Sequence, residues 1–134
     1  MEPIKLNVWG EGSTKEEPDQ SEGGFDSTII GVPEAFFVQH EGKKTLNVRV
    51  AGAMLRKFAE QQAKNLGREL HHAEFVVTND PKEIKTRGLE HDCVTCRHGV
   101  DQALARLREE PQEPLIVGTL YWKPSKKKAK KRGS

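Results

Sequence analysis

Between Gly10 and Gly24 the chain carries five acidic residues and no apolar side chain. A stretch with nothing to bury is expected to be a flexible acidic linker or a long loop. It divides the chain unequally. Ahead of it, Ile4, Leu6 and Val8 alternate with Lys5, Asn7 and Trp9, the period of a half-buried strand. A disordered linker would isolate this strand, whereas an ordered one requires it to pair with the sheet of the main body, because a lone strand is at best marginally stable. The expected layout is an N-terminal strand at 1–9, the linker at 10–24, a packed domain at 25–122 and a lysine-rich disordered tail at 123–134.

Within the packed part, Ser27 to Ile30 is a short strand candidate closed by Gly31-Val32-Pro33. Ala35–His40 and Thr45–Val50 are strand-like and joined by Glu41-Gly42-Lys43-Lys44, which predicts a hairpin. Gly52 then opens a helix predicted from about Ala53 to Leu70, with Met54, Leu55, Phe58, Leu66 and Leu70 on one side. Ala73–Thr78 reads as a strand. Asn79-Asp80-Pro81 reads as the cap and first position of a short helix that Gly88 closes. A second long helix is expected from the cysteine region to about Glu110, with Val100, Ala103, Leu104 and Leu107 at helical spacing. Pro111 and Pro114 bar its continuation, and Leu115–Trp122 is a final strand. The fold class expected is α+β: a small, mostly antiparallel sheet with two main helices on one face, in the order β-β-α-β-α-β plus the N-terminal strand.

Charge is distributed in two parts. From Lys123 onward there are seven basic residues (Lys123, Lys126, Lys127, Lys128, Lys130, Lys131 and Arg132) and no acidic one. Removing these seven from the 22 basic residues leaves 15 against 20 acidic, so a mildly acidic body carries a strongly basic tail. No apolar run approaches the roughly 20 residues that span a bilayer. The start Met1-Glu2-Pro3-Ile4-Lys5 lacks a secretory pattern, and two cysteines are too few for a secreted disulfide scaffold. The expectation is a soluble cytoplasmic protein (nuclear in a host with a nucleus) with no membrane partner.

Both cysteines and two of the five histidines fall in one run, His91-Asp92-Cys93-Val94-Thr95-Cys96-Arg97-His98. Three chemistries compete for it. Thiolates two residues apart can grip one zinc from a tight turn, with His91, His98, His71 or His72 completing the ligand set. A CxxC at a helix N-terminus has its first thiol against unpaired backbone N–H groups, which favours thiolate and suits a dithiol oxidoreductase. Against this, the segment before it is polar and turn-like rather than a βαβ unit. In the third, the stripe Leu107, Leu104, Ala103, Val100 extends back to Cys96 and Cys93. On that reading, with Asp92 as N-cap, both cysteines simply pack in the core. Gly99 weighs against an unbroken helix from Cys93.

No other enzyme motif is present. There is no nucleophile elbow, P-loop or dinucleotide fingerprint, and His71-His72 with Asn79 and Asp80 match no defensible nuclease template. The basic tail suits salt-sensitive contact with nucleic acid or another polyanion, and one of Tyr121 and Trp122 is expected to be exposed beside it. The function expected from sequence is a non-enzymatic binding module, zinc-stabilised if the cysteines ligate metal, with a tail on nucleic acid. The alternatives are a protein-interaction accessory factor with a solubilising tail, and a small CxxC thiol oxidoreductase.

Overall fold

A computed structural model of the protein describes residues 2–13, 23–91 and 93–124. The expectations for linker residues 14–22, for Asp92 as a cap, and for Lys126, Lys127, Lys128, Lys130, Lys131 and Arg132 lie outside those residues. The elements run β1 (Ile4–Trp9), β2 (Phe25–Gly31), β3 (Phe37–His40), β4 (Lys43–Leu46), α1 (Val48–Leu66), β5 (Leu70–Thr78), α2 (Pro81–Gly88), α3 (Val94–Glu109) and β6 (Leu115–Trp122). Four strands form one antiparallel sheet in the order β1-β5-β6-β2. The N-terminal strand is therefore part of the main sheet, in register from Ile4 opposite Val77 to Trp9 opposite His72. The α+β class and the antiparallel sheet are as the residue pattern predicts.

The placement of the helices differs from the expectation of a single covered face. Successive side chains of a strand point to opposite sides. On β6, Ile116, Leu120 and Trp122 join a cluster with Leu55, Ala59 and Ala63 of α1. Leu115 and Val117 join a second cluster with Ile84 of α2 and Val100, Ala103 and Leu107 of α3. Helices thus lie against both faces, and the central strand β6 is buried on both sides. That explains why β6 reads as an unbroken apolar run rather than an alternating one.

The first long helix begins earlier than its apolar pattern suggests. Leu46, Val48 and Val50 alternate like a strand, yet β4 stops at Leu46. The Asn47 side chain accepts the Val50 N–H at 3.2 Å, and Ala51 N–H bonds the Asn47 carbonyl at 2.9 Å, so Val48–Val50 is the first turn of α1. The helix ends at Leu66, where Gly67 takes a left-handed conformation at φ 62°. Leu70 is consequently the first residue of β5. The buried stripe is Ala51, Leu55, Ala59 and Ala63, while Met54 and Leu66 are 43% and 51% exposed. Small residues every fourth position let the helix sit close on the sheet.

The predicted hairpin exists but stands apart, β3 and β4 forming their own two-stranded sheet. Both turn residues, Glu41 and Gly42, have positive φ, as a two-residue hairpin turn requires. Phe36 and Leu46 tie it to the α1 cluster. On the other face, Asp80 caps α2 by accepting the Lys82 N–H at 2.9 Å, with Pro81 at the first helical position. A Cβ on Gly88 would come within 2.4 Å of Val100 Cγ2, so glycine there permits α2 and α3 to touch. No helix among the described residues is long and apolar enough to cross a membrane.

Candidate functional site: a cysteine pair at a helix N-terminus

Helix α3 starts at Val94, with Cys93 in extended conformation as its N-cap. Cys93 Sγ accepts the Cys96 backbone N–H at 3.0 Å, taking the place that a Ser or Asp oxygen usually fills. Cys93 and Cys96 are joined by a disulfide. Their exposures differ. Cys96 is 6% exposed and lies on the buried stripe with Val100, Ala103 and Leu107, whereas Cys93 is half-buried. The helical register therefore accounts for the packing of Cys96, and the cap position accounts for the reach of Cys93.

The pair lines a cavity of about 340 Å³ between the sheet and helices α2 and α3. Its floor comes from β2 and β6, including Ser27, Ile29, Val117 and Thr119, and its walls include Arg87, Gly88, Thr95 and Gly99. The Ser27 hydroxyl lies 3.7 Å from Cys96 Sγ. Arg87 is held by a 3.0 Å bond from its Nε to Glu83 Oε1, one turn back on α2. Asp26 also borders the cavity, but its carboxylate accepts from the Trp122 indole N–H at 2.6 Å on the α1 side of the sheet.

The histidines are engaged elsewhere. His91 Nε2 is 3.0 Å from the Tyr121 hydroxyl, and its ring stacks on Phe25 with centroids 3.9 Å apart. His98 Nε2 pairs with Gln102 Nε2 one turn along α3, at 3.1 Å. His71 and His72 are not at a solvated helix end, as their position after the first apolar stripe suggests. They belong to β5, because α1 ends at Leu66, four residues before the expected Leu70. A register shift between Leu70 and His72 lets the neighbouring rings meet, Nδ1 to Nδ1 at 2.8 Å. Their centroids are 5.1 Å apart, so the nitrogens face each other nearly head-on, the geometry of one shared N–H. Burial and the Lys123 charge hold the His71 imidazole below its usual pKa.

The structure thus brings Cys93 and Cys96 together and His71 and His72 together, and gives His91 and His98 other partners. Among the described residues there is no group of three or more His, Cys, Asp or Glu arranged to hold a metal. His72 is central to a row that crosses the whole sheet. It stacks on Trp9 at 5.1 Å and on Tyr121 at 4.6 Å, and Tyr121 is in register with Phe25. That row corrects the expectation of an exposed aromatic next to the tail: Tyr121 is 5% exposed under His72 and His91, and Trp122 is 1% exposed on the opposite face. Ser27 and Arg87 escaped the residue pattern. The period-two reading of Ser27–Ile30 places Ser27 on the same face as Ile29, but only the sheet order carries that face under the cysteines.

Comparison with protein-family models, with curated proteins and with solved structures gives no match.

Proposed function

We propose that the chain is a small thiol–disulfide exchange protein in which Cys93 is the attacking sulfur and Cys96 the resolving one. The observation that carries this reading is the bonded Cys93–Cys96 pair at the N-terminus of α3, with one sulfur reachable and the other buried, at the wall of an open cavity. When the pair is reduced, the Cys96 N–H and the positive end of the helix stabilise a thiolate at Cys93. That thiolate attacks a substrate disulfide and releases one substrate sulfur as thiolate. Cys96 then attacks Cys93 Sγ, expels the second substrate sulfur and forms the internal disulfide. Two electrons pass from the protein to the substrate, and the two cysteine protons end on the released thiols.

Iodoacetamide at pH 6–7 is expected to modify the reduced protein at Cys93 first, at a rate above that of an ordinary thiol with a pKa near 8.5. Equilibration in dithiothreitol buffers is expected to show one two-electron transition, which Cys93→Ser abolishes. A disulfide that stays intact in excess dithiothreitol would overturn the reading. So would one zinc per chain by native mass spectrometry, lost in Cys93→Ser, which would make the pair a structural metal site.

A second reading concerns the tail and is independent of the cysteines. Lys123 is held against the body, its backbone N–H on the Glu69 carbonyl at 2.8 Å and its Nζ on the Glu11 carbonyl at 2.7 Å, and six further basic residues follow it without an acidic one. Such an arm neutralises phosphates and releases counterions. On this reading the protein binds nucleic acid or another polyanion without sequence preference. A mobility shift is expected that weakens steeply between about 50 and 200 mM salt and disappears on deletion of residues 124–134. An unchanged shift in the deletion would remove the tail from this role.

A further inference from the structure

The thiol–disulfide reading leaves open what the pair reacts with, and the cavity bears on that choice. We infer that the partner is a low-molecular-weight thiol carrying a carboxylate, seated in the cavity beside Cys93 with its carboxylate on Arg87. The inference rests on the exchange reading above, and it is tested separately below.

Size is the first argument. A pair that exchanges with folded proteins needs its reactive sulfur where a broad surface can approach. Here Cys93 and Cys96 form part of the wall of a cavity of about 340 Å³. That volume is at the lower end of small-molecule sites, which run from roughly 300 to 1,000 Å³. It suits a thiol of a few residues' bulk.

Polarity is the second argument. Apart from the cysteines, the ionisable residues among those bordering the cavity are Arg87 and Asp26. The strand alternation that turns Ser27 and Ile29 toward the cavity turns Asp26 away, to the Trp122 indole. Among the described residues bordering the cavity, Arg87 is the charged side chain on this side, paired through its Nε with Glu83. Its Nε edge is fixed by Glu83, which orients the planar guanidinium, and its terminal nitrogens carry further donors in the geometry that matches a carboxylate. The hydroxyls of Ser27 and Thr119 add polar contacts of the kind a short polar thiol uses.

The step balances with two such thiols. The first thiolate attacks Cys93 Sγ, the Cys93–Cys96 bond breaks, and Cys96 leaves as thiolate. The second attacks the substrate sulfur of the mixed disulfide, and Cys93 leaves as thiolate. The two thiols end as one disulfide, and their two protons end on the cysteines.

The test uses the oxidised full-length protein and a matched pair of probes, N-acetylcysteine and N-acetylcysteine amide. In the second a neutral carboxamide replaces the carboxylate. At equal thiolate concentration and low salt, the rate of reduction is expected to be roughly tenfold higher with the acid. Arg87→Gln is expected to bring the two rates together when each is read as a ratio to reduction of the same variant by uncharged dithiothreitol. Arg87→Lys, which keeps the cation, is expected to retain part of the preference. Equal rates for the two probes in the unmodified protein overturn the inference, as does a preference that survives Arg87→Gln. Failure of dithiothreitol to reduce the pair at all is a different result: it removes the exchange reading itself.

Discussion

Trp122→Ala is expected to destabilise the protein by about 3–5 kcal/mol, a large share of the roughly 5–15 kcal/mol that holds a domain of this kind together. Trp122 is the largest fully buried side chain and ends the central strand β6. Its ring belongs to the cluster that joins the sheet to α1 through Leu55, Ala59 and Ala63. Its indole N–H donates to Asp26 Oδ2, linking β6 to the edge strand β2 on the same face as the packing. Truncation removes the buried area and leaves a cavity that small neighbours such as Ala59 and Ala63 cannot fill. Trp122→Phe keeps most of the area and loses the donor. Asp26 is exposed and water can replace the indole, so this variant is expected to cost much less than Trp122→Ala. Urea denaturation followed by circular dichroism measures both. A loss below about 1 kcal/mol for Trp122→Ala would mean that the face between α1 and the sheet contributes little, contrary to its burial.

Gly118→Val is expected to cost about 3 kcal/mol, although valine is among the best strand residues. Gly118 sits in the middle of β6, opposite Phe75 on one side and Thr28 on the other. A Cβ there would lie 2.7 Å from both Phe75 Cδ1 and Phe75 Cε1 and 3.2 Å from Thr28 Cγ2. The Phe75 ring lies over the glycine, filling the space of the missing side chain on the α1 face. Phe75 is itself fully buried and bears edge-on on Phe58 of α1, so it has no free direction in which to retreat. A double-mutant cycle makes the cause specific. Phe75→Leu combined with Gly118→Ala is expected to cost less than the sum of the single changes, because the smaller side chain relieves the contact. Strict additivity would place the cost of the glycine substitution somewhere other than the phenylalanine ring.

Much of the fold follows from local pattern. The period of Ile4–Val8, the prolines after α3 and the Asp80-Pro81 start of α2 each act within a few residues, and each element lies where those residues put it. The start of α1 shows the limit of periodicity. Leu46, Val48 and Val50 fit a strand by alternation, the two valines also by β-branching, yet the Asn47 side chain accepts the Val50 N–H and caps a helix there. The histidine pair shows another limit. Nothing in His71-His72 as a dipeptide places both rings against each other. The register shift in β5 does so, and that shift depends on pairing with a strand some fifty residues further along the chain.

The long acidic stretch from Gly10 to Gly24 separates a six-residue strand from the body by composition alone, and composition could not say whether that strand stands apart. Pairing decides it: β1 lies along β5, and Trp9 stacks on His72. The same division holds at the cysteines. The helical stripe already placed Cys96 on the buried side of α3, because spacing along a helix is a local property. The order of strands then set β2 beneath it, bringing Ser27 to Cys96 and opening the cavity that Arg87 borders. Strand order is fixed by which apolar faces find partners across the whole chain, and no window of neighbouring residues contains that information.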